Sequence, residues 1–190
     1  MKNSILYISI IFFSFAISAK QIVLGPSDNS QEEIQEALID LEPGDVLTLK
    51  AGEYFFEDGL SLDVNDVIFE GSGIDDTILN FENQMSGAQG LLITSDGVTI
   101  RDFAVIDAKG DAIKVIGADG IDMIRLRTEW TGGPKETNGA YGFYPVESKD
   151  VLIDGCVAIG ASDAGIYVGQ SQNIIVKNSV AQYNVAGIEI

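Results

Sequence analysis

The sequence predicts an all-β solenoid in which short strands stack coil upon coil behind a single capping helix. Short β-branched and aliphatic runs recur in one register, 31, 23, 30 and 23 residues apart, with first inward positions Val67, Val98, Ile121, Val151 and Ile174. A second register follows later in each unit, at residues 112–115, 142–145, 165–168 and 187–190. A period in the low twenties of residues, with occasional loop insertions, is typical of a solenoid.

The composition limits the classes of partner. The chain has 190 residues, 46% of them hydrophobic, which is enough for one domain with a sizeable core. Its 29 acidic and 11 basic residues give a net charge of -18, which argues against a nucleic-acid partner. An anionic polysaccharide would also be repelled without a local basic patch or a bridging cation. The absence of histidine excludes Ser-His-Asp and Cys-His nucleophile systems and histidine-based metal sites.

Residues 1–19 have the layout of a secretory signal peptide. Lys2 supplies the basic start, an apolar run extends from Ile5 to Ile17, and the small residues Ser18 and Ala19 precede the expected cleavage point. The apolar run is too short for a stable membrane span. The segment predicts a secreted or periplasmic protein with no membrane span after cleavage.

Residues 20–44 are predicted to cap the solenoid with one amphipathic helix at 27–41. Ser30 and Glu33 have capping-box spacing, and Pro43-Gly44 ends the helix. Apolar residues repeat at helical intervals at Ile34, Leu38 and Leu41.

Residues 45–190 are predicted to form the coils, because each apolar run is about four residues long and alternates in polarity. In the second register the alternation directs four side chains outward, namely Lys114, Tyr144, Tyr167 and Glu189. A leucine-rich repeat is excluded because its Leu-x-x-Leu-x-Leu frame is missing. The Asp and Asn residues that begin the units are interpreted as turn formers rather than a metal ladder: Asp66, Asp96, Asp119, Asp150 and Asn173.

Two further expectations concern the interior and the end of the chain. Cys156 falls on the same inward step as Phe103, Leu126 and Ser179, which predicts a buried, inert thiol. The chain stops at Ile190 within a strand unit, where an uncovered β-solenoid would expose unpaired backbone groups. We therefore expect the repeats to continue, or a further domain or chain to cover that end.

This arrangement resembles the right-handed parallel β-helix family of pectate-lyase-like proteins over nearly all of residues 28–190. Within that family, residues 141–147 (Tyr-Gly-Phe-Tyr-Pro-Val-Glu) resemble the active-site segment of mannuronan C5-epimerases. The epimerase pattern reads Tyr-Gly-Phe-Asp-Pro-His followed by an acidic residue, so Tyr144 and Val146 replace its Asp and His. The family also uses a lysine on the neighbouring coil, and Lys114 occupies an equivalent position.

The resemblance implies chemistry on a uronate polymer, in which the sugar C5 proton is removed α to a carboxylate. That reaction needs an acid–base pair and a positive charge to neutralise the carboxylate. Tyr141 and Lys114 are the candidate catalytic residues that retain suitable groups. Because two of the four catalytic groups are replaced, binding is favoured over catalysis.

The candidate substrate-binding residues are Tyr144, Tyr167, Glu189, Arg101 and Trp130. Tyrosines in adjacent coils suit a sugar chain that lies across the strands, because phenol rings pack against apolar sugar faces. Arg101 belongs to a run of basic residues at 101–135. Trp130 opens the loop 131–139, as either a sugar platform or a loop anchor, and Asp163 is either a replacement carboxylate near Tyr141 or a turn residue.

The sequence therefore predicts a secreted β-helix that binds, or also modifies, an extracellular polysaccharide containing uronate. Two alternatives stay open: an active polysaccharide C5-epimerase or lyase, and a non-catalytic surface or periplasmic module that binds another protein. No cofactor and no metal site is predicted; calcium stays open as a ligand, although no glycine-rich nonapeptide motif supports it.

Overall fold

The computed structural model describes residues 19–190 and confirms an all-β parallel solenoid with an N-terminal helix. The predicted secretory segment lies outside the described residues except for Ala19. Among residues 19–190, no helix is long and apolar enough to cross a membrane.

The elements follow one another in a fixed cycle along the chain. In order they are β1 (Gln21–Leu24), α1 (Ser30–Ile39), β2 (Val46–Leu49), β3 (Gly52–Phe55), β4 (Leu60–Leu62), β5 (Ile68–Glu70), β6 (Thr77–Asn80), β7 (Gln89–Ile93), β8 (Thr99–Ile106), β9 (Asp111–Ile116), β10 (Asp119–Glu129), β11 (Tyr141–Val146), β12 (Lys149–Asp154), β13 (Val157–Ile159), β14 (Ala164–Tyr167), β15 (Gln172–Lys177), β16 (Val180–Gln182) and β17 (Ala186–Glu189).

Stacked strands build three faces of parallel sheet. The first face has the order β1-β2-β5-β8-β10-β12-β15, and the second comprises β3, β6, β13 and β16 with the later halves of β8 and β10. Because β8 and β10 continue from the first face into the second, these two faces are joined as one sheet. The third face is a separate sheet with the order β4-β7-β9-β11-β14-β17.

The strand pairing confirms the register predicted on the first face. Ile68 pairs with Thr99, Thr99 with Asp122, Val151 with Ile174, and Ile121 with Val151. The inward residues Val67, Val98, Ile121 and Val151 are buried. Stacking therefore forms one continuous apolar column that no single coil could bury by itself.

The coils turn at positions where the backbone is left-handed in successive coils. The turn into the first face has positive φ at Asp66 (57°), Gly97 (67°), Gly120 (75°), Asp150 (52°) and Asn173 (55°). Gly, Asp and Asn tolerate this conformation best, which explains why they begin the units. The bend between the first and second faces also has positive φ, at Asp102, Arg125, Gly155 and Asn178.

The cap differs from the prediction in its helix bounds, its N-cap residue and an additional strand. The helix covers Ser30–Ile39 rather than 27–41, and Asn29 is its N-cap with no side-chain capping hydrogen bond. Ser30 is not the cap, because its hydroxyl donates to the Ser27 carbonyl oxygen (2.8 Å) in a turn before the helix. The Ser27 hydroxyl instead donates to the Glu33 carboxylate at 2.8 Å. Strand β1, which the sequence analysis did not predict, pairs with β2 as a further row of the first face.

The interior confirms the predicted position of the cysteine. Cys156 is fully buried, and burial raises the pKa of its thiol to about 11. The Cys156 backbone N–H donates to the Ser179 hydroxyl on the next coil at 3.1 Å. A thiol with this pKa is protonated at neutral pH, so it behaves as an inert core group.

Candidate functional site: a tyrosine cluster on the third face

The third face brings together the outward row that alternation predicted. Lys114 on β9 pairs with Tyr144 on β11, and Tyr167 on β14 pairs with Glu189 on β17. The pairing of Phe143 with Ile166 places Tyr144 beside Tyr167. Neighbouring strands lie about 4.8 Å apart, so these four side chains form one continuous row along the solenoid.

Three aromatic rings pack together on this row, and we call Tyr141, Tyr144 and Tyr167 the tyrosine cluster. The Tyr141 and Tyr167 ring centroids lie 4.6 Å apart with an interplanar angle of 15°. Tyr144 contacts both rings, with its centroid 4.7 Å from that of Tyr141 and 5.2 Å from that of Tyr167. All three side chains are partly exposed. Tyr141 is a predicted catalytic residue, and strand alternation gives no sign of its part in this cluster.

Lys114 lies against the cluster with a carboxylate partner that the sequence analysis missed. Its Nζ is 4.8 Å from the Tyr144 ring centroid and 3.8 Å from Asp111 Oδ2. Burial raises the pKa of Asp111, while the Lys114 charge and the Tyr141 backbone N–H oppose that rise. Asp111 lies three residues before Lys114, and Tyr141 lies three residues before Tyr144 on the next coil. This shared spacing is the sequence feature from which their proximity to the outward row could be predicted.

Tyr141 is a protonated phenol at neutral pH. Burial, followed by the charge and the hydrogen bond of Asp163, raises the pKa of Tyr141 to about 12. A phenol in this state donates a hydrogen bond or a proton, and it is a poor general base. Asp163 lies on the next coil beside Tyr141, because its backbone N–H donates to the Ala140 carbonyl oxygen at 3.2 Å.

The segment 141–147 is more buried than alternation suggested. Phe143 is fully buried and Pro145 is buried, as predicted. Val146, which the sequence analysis placed on the surface, is only 6% exposed. Its side chain faces outward but lies against Gly169 on the next coil, next to the rings of Tyr144 and Tyr167. The position that holds histidine in the epimerase pattern is thus covered here.

Arg101 and Trp130 lie away from the tyrosine cluster. Arg101 is on the first face, where its Nη2 pairs with Glu70 Oε2 at 2.6 Å. Trp130 is 5% exposed, and its indole Nε1–H donates to the Ala108 carbonyl oxygen at 2.7 Å. This placement makes Trp130 an anchor of the loop 131–139 rather than an exposed sugar platform.

The basic residues in 101–135 do not form a free positive patch on the first and second faces. Arg125 pairs with Asp102 at 2.6 Å, and Arg127 pairs with Glu129. Each of these guanidinium groups is therefore paired with a carboxylate. Within residues 19–190 no group of three or more Cys, Asp or Glu side chains is arranged to hold a metal ion.

The raised pKa values of Tyr141 and Tyr54 predict that the stability of the fold depends on pH in the alkaline range. Burial also raises the pKa of Tyr54 to about 12. Because both pKa values exceed that of an unfolded tyrosine, these residues stabilise the fold fully below pH about 10. That contribution should be lost as the pH rises from about 10 to about 12. Tyr141→Phe should remove one late-ionising tyrosine from an ultraviolet titration, and Tyr54→Phe the other; an unchanged late phase in both variants would contradict this assignment.

The solved structures most similar to this chain share its fold at low sequence identity. An alginate lyase from Paenibacillus sp. str. FPU-7 is 14% identical with a TM-score of 0.54, covering 85% of this chain and 66% of its own. The Azotobacter vinelandii mannuronan C-5 epimerase AlgE4 A-module is 19% identical with a TM-score of 0.55, covering 84% of this chain and 54% of its own. Pectate lyase Pel9A is 15% identical with a TM-score of 0.57, and the match covers 90% of this chain and 56% of the lyase.

This chain therefore spans between just over half and about two thirds of these three proteins. A search of curated proteins finds no match to the chain. The family model described as "Right handed beta helix region" matches residues 58–190, which is more than half of the sequence. The chain therefore belongs to the right-handed parallel β-helix family.

Proposed function

We propose that this protein binds a polysaccharide along its third face, with the tyrosine cluster as the main contact surface. The observation that carries the proposal is the packing of three partly exposed tyrosine rings on one outward row. Tyrosine rings pack against the apolar faces of sugars, and their hydroxyls hydrogen-bond with sugar hydroxyls. The lyases and the epimerase among the structurally similar proteins support a polysaccharide ligand.

The third face also has a suitable shape for a linear ligand. Lys114, Tyr144, Tyr167 and Glu189 occupy consecutive rows, each separated from the next by about 4.8 Å. A sugar chain parallel to the solenoid axis would meet an aromatic ring or a polar group at every row. The secretory segment predicted at residues 1–19 agrees with an extracellular or periplasmic ligand.

Binding is the better supported activity because two of the groups that the epimerase pattern uses for C5 proton abstraction are replaced. Tyr141 is held protonated by burial and by Asp163. Tyr144 and Val146 stand where the epimerase pattern has Asp and His. In enzymes, loss of such groups costs several orders of magnitude in rate.

One observation favours the enzymatic alternative, a polysaccharide lyase or epimerase. Two acid–base pairs adjoin the cluster, Asp163 with Tyr141 and Asp111 with Lys114. Formation of unsaturated uronate products from alginate or polygalacturonate would support a lyase, and solvent-deuterium exchange at C5 would support an epimerase. We expect neither signal above the background of a Tyr141→Phe variant.

The binding proposal is tested by removing one ring of the cluster. Tyr167→Ala should weaken binding to a recognised oligosaccharide about tenfold, since an aromatic contact of this kind contributes roughly 1 to 2 kcal/mol. Isothermal titration calorimetry would measure the affinity. Tyr183→Ala is the matched control, because Tyr183 is 69% exposed and lies outside the cluster.

Equal affinities for the wild type and Tyr167→Ala would place the binding surface elsewhere. A protein that binds none of a panel of neutral, uronate and amino-sugar polysaccharides would contradict the proposed function itself.

A further inference from the structure

Carboxylates surround the tyrosine cluster on every coil that contributes to it. Asp163 directly precedes Ala164, which pairs with Tyr141, and Asp111 on the preceding coil contacts the same lysine, Lys114, as the Tyr144 ring. Glu147 directly follows β11, the strand that contains Tyr144, and Glu189 pairs in register with Tyr167. A ligand that lies on the rings is therefore flanked by negatively charged residues.

The positive charge that could offset these carboxylates is already engaged. Lys114 Nζ lies between the Tyr144 ring and Asp111, at 4.8 Å from the ring centroid and 3.8 Å from Oδ2. The arginines of the first and second faces are paired with Glu70, Asp102 and Glu129. The electrostatic potential at the cluster is therefore negative, like the net charge of the whole chain, which is -18.

Such a field discriminates between sugars that differ only in charge. Two like charges about 7 Å apart near a protein surface repel by roughly 0.5 to 2 kcal/mol before salt screening. Uncharged sugars avoid this repulsion, and their hydroxyls can donate hydrogen bonds to the carboxylates. Carboxylates next to an aromatic surface therefore suit a polyhydroxyl ligand without acidic groups.

Resting on the proposed function, we infer that the tyrosine cluster selects an uncharged glycan and discriminates against polyuronates. This inference differs from the ligand class that the resemblance to mannuronan epimerases implies. Asp163 and Glu189 accept hydrogen bonds from sugar hydroxyls, while Tyr141 and Tyr167 contact the apolar ring faces. Lys114 positions Tyr144 and neutralises Asp111.

The experiment compares two ligands that differ at one substituent. A β-1,4-linked mannose hexamer and the corresponding mannuronate hexamer share their ring stereochemistry and linkage, and only the latter has a carboxylate at C6. We expect calorimetry on the full chain, in low-salt buffer without divalent cations, to give on the order of tenfold tighter binding of the mannose hexamer. Added salt should reduce this ratio, because it screens the repulsion.

Charge variants test whether the carboxylates at the cluster set the preference. Asp163→Asn and Glu189→Gln should each raise the affinity for the mannuronate hexamer about threefold relative to the mannose hexamer. Asp75→Asn is the control: it changes the net charge equally, but Asp75 is 85% exposed in the turn that leads to the second face. It should leave the ratio of the two affinities unchanged.

The outcomes separate this inference from the proposed function. Equal or tighter binding of the mannuronate hexamer would overturn the inference and leave polysaccharide binding in place. Tighter binding of a glucosamine hexamer than of the mannose hexamer would show that the cluster prefers a cationic glycan, and it would overturn the inference that the ligand is uncharged. Failure of all three hexamers to bind would contradict the proposed function and the inference together.

Discussion

Replacement of Phe103 by alanine should lower the free energy of unfolding by about 3 to 5 kcal/mol. Phe103 is fully buried at the bend between the first and second faces, and its ring centroid is 5.0 Å from that of Phe69. The neighbouring coils hold their own inward residues in register, so they cannot collapse into the cavity. Equilibrium urea unfolding followed by circular dichroism would measure the change.

Phe55→Ala is the matched control for this prediction. Phe55 is 48% exposed on β3, so removal of its ring should cost less than about 1 kcal/mol. Similar losses in the two variants would contradict the assignment of Phe103 to the core column.

Gly110→Ala should have the second largest effect, about 2 to 4 kcal/mol, because it forces neighbouring coils apart. An added Cβ at this position would clash with the backbone carbonyl oxygen of Ala88 on the preceding coil. Backbone atoms in a stacked solenoid cannot rotate away from such a contact. Asp111 follows directly, so we also expect weaker glycan binding through a displaced Asp111 and Tyr141.

Gly187→Ala separates this steric effect from the general cost of replacing glycine. The nearest atom to a Cβ at Gly187 is the Ala181 Cβ at 3.9 Å, an ordinary contact. We expect a change within about 0.5 kcal/mol there. A Gly110→Ala protein as stable as the wild type would show that the coils separate easily at this turn.

The coil register could be predicted because it depends on local features. Alternating polarity determines which side of a strand each residue occupies, and Asp, Asn and Gly mark the left-handed turns. These signals placed Lys114 beside Tyr144 and Tyr167 beside Glu189, as the strand pairing confirms. They also placed Cys156 in the interior.

The same features could not predict how deeply an outward residue is covered. Val146 is on the predicted side of β11, yet Gly169 and the tyrosine rings of the next coil bury it. Trp130 begins a loop in the sequence, but its indole reaches into a buried hydrogen bond with Ala108 on another coil. The helix starts later than its apolar period suggests because the Ser30 hydroxyl accepts from the Ser27 backbone N–H and donates to the Ser27 carbonyl oxygen, which forms a turn first.

Local sequence features predict the solenoid, its register and the outward row that contains Tyr144 and Tyr167. The three-dimensional arrangement of the coils stacks Tyr141 against that row, brings Asp111 to Lys114 and places Arg101 on another face. Alternation and turn propensity act between neighbouring residues, whereas the stacking of Tyr141 on Tyr167 and the pairing of Arg101 with Glu70 join residues more than twenty positions apart in sequence. Asp111 and Lys114 are only three residues apart, but strand alternation places them on opposite sides and so does not predict their contact.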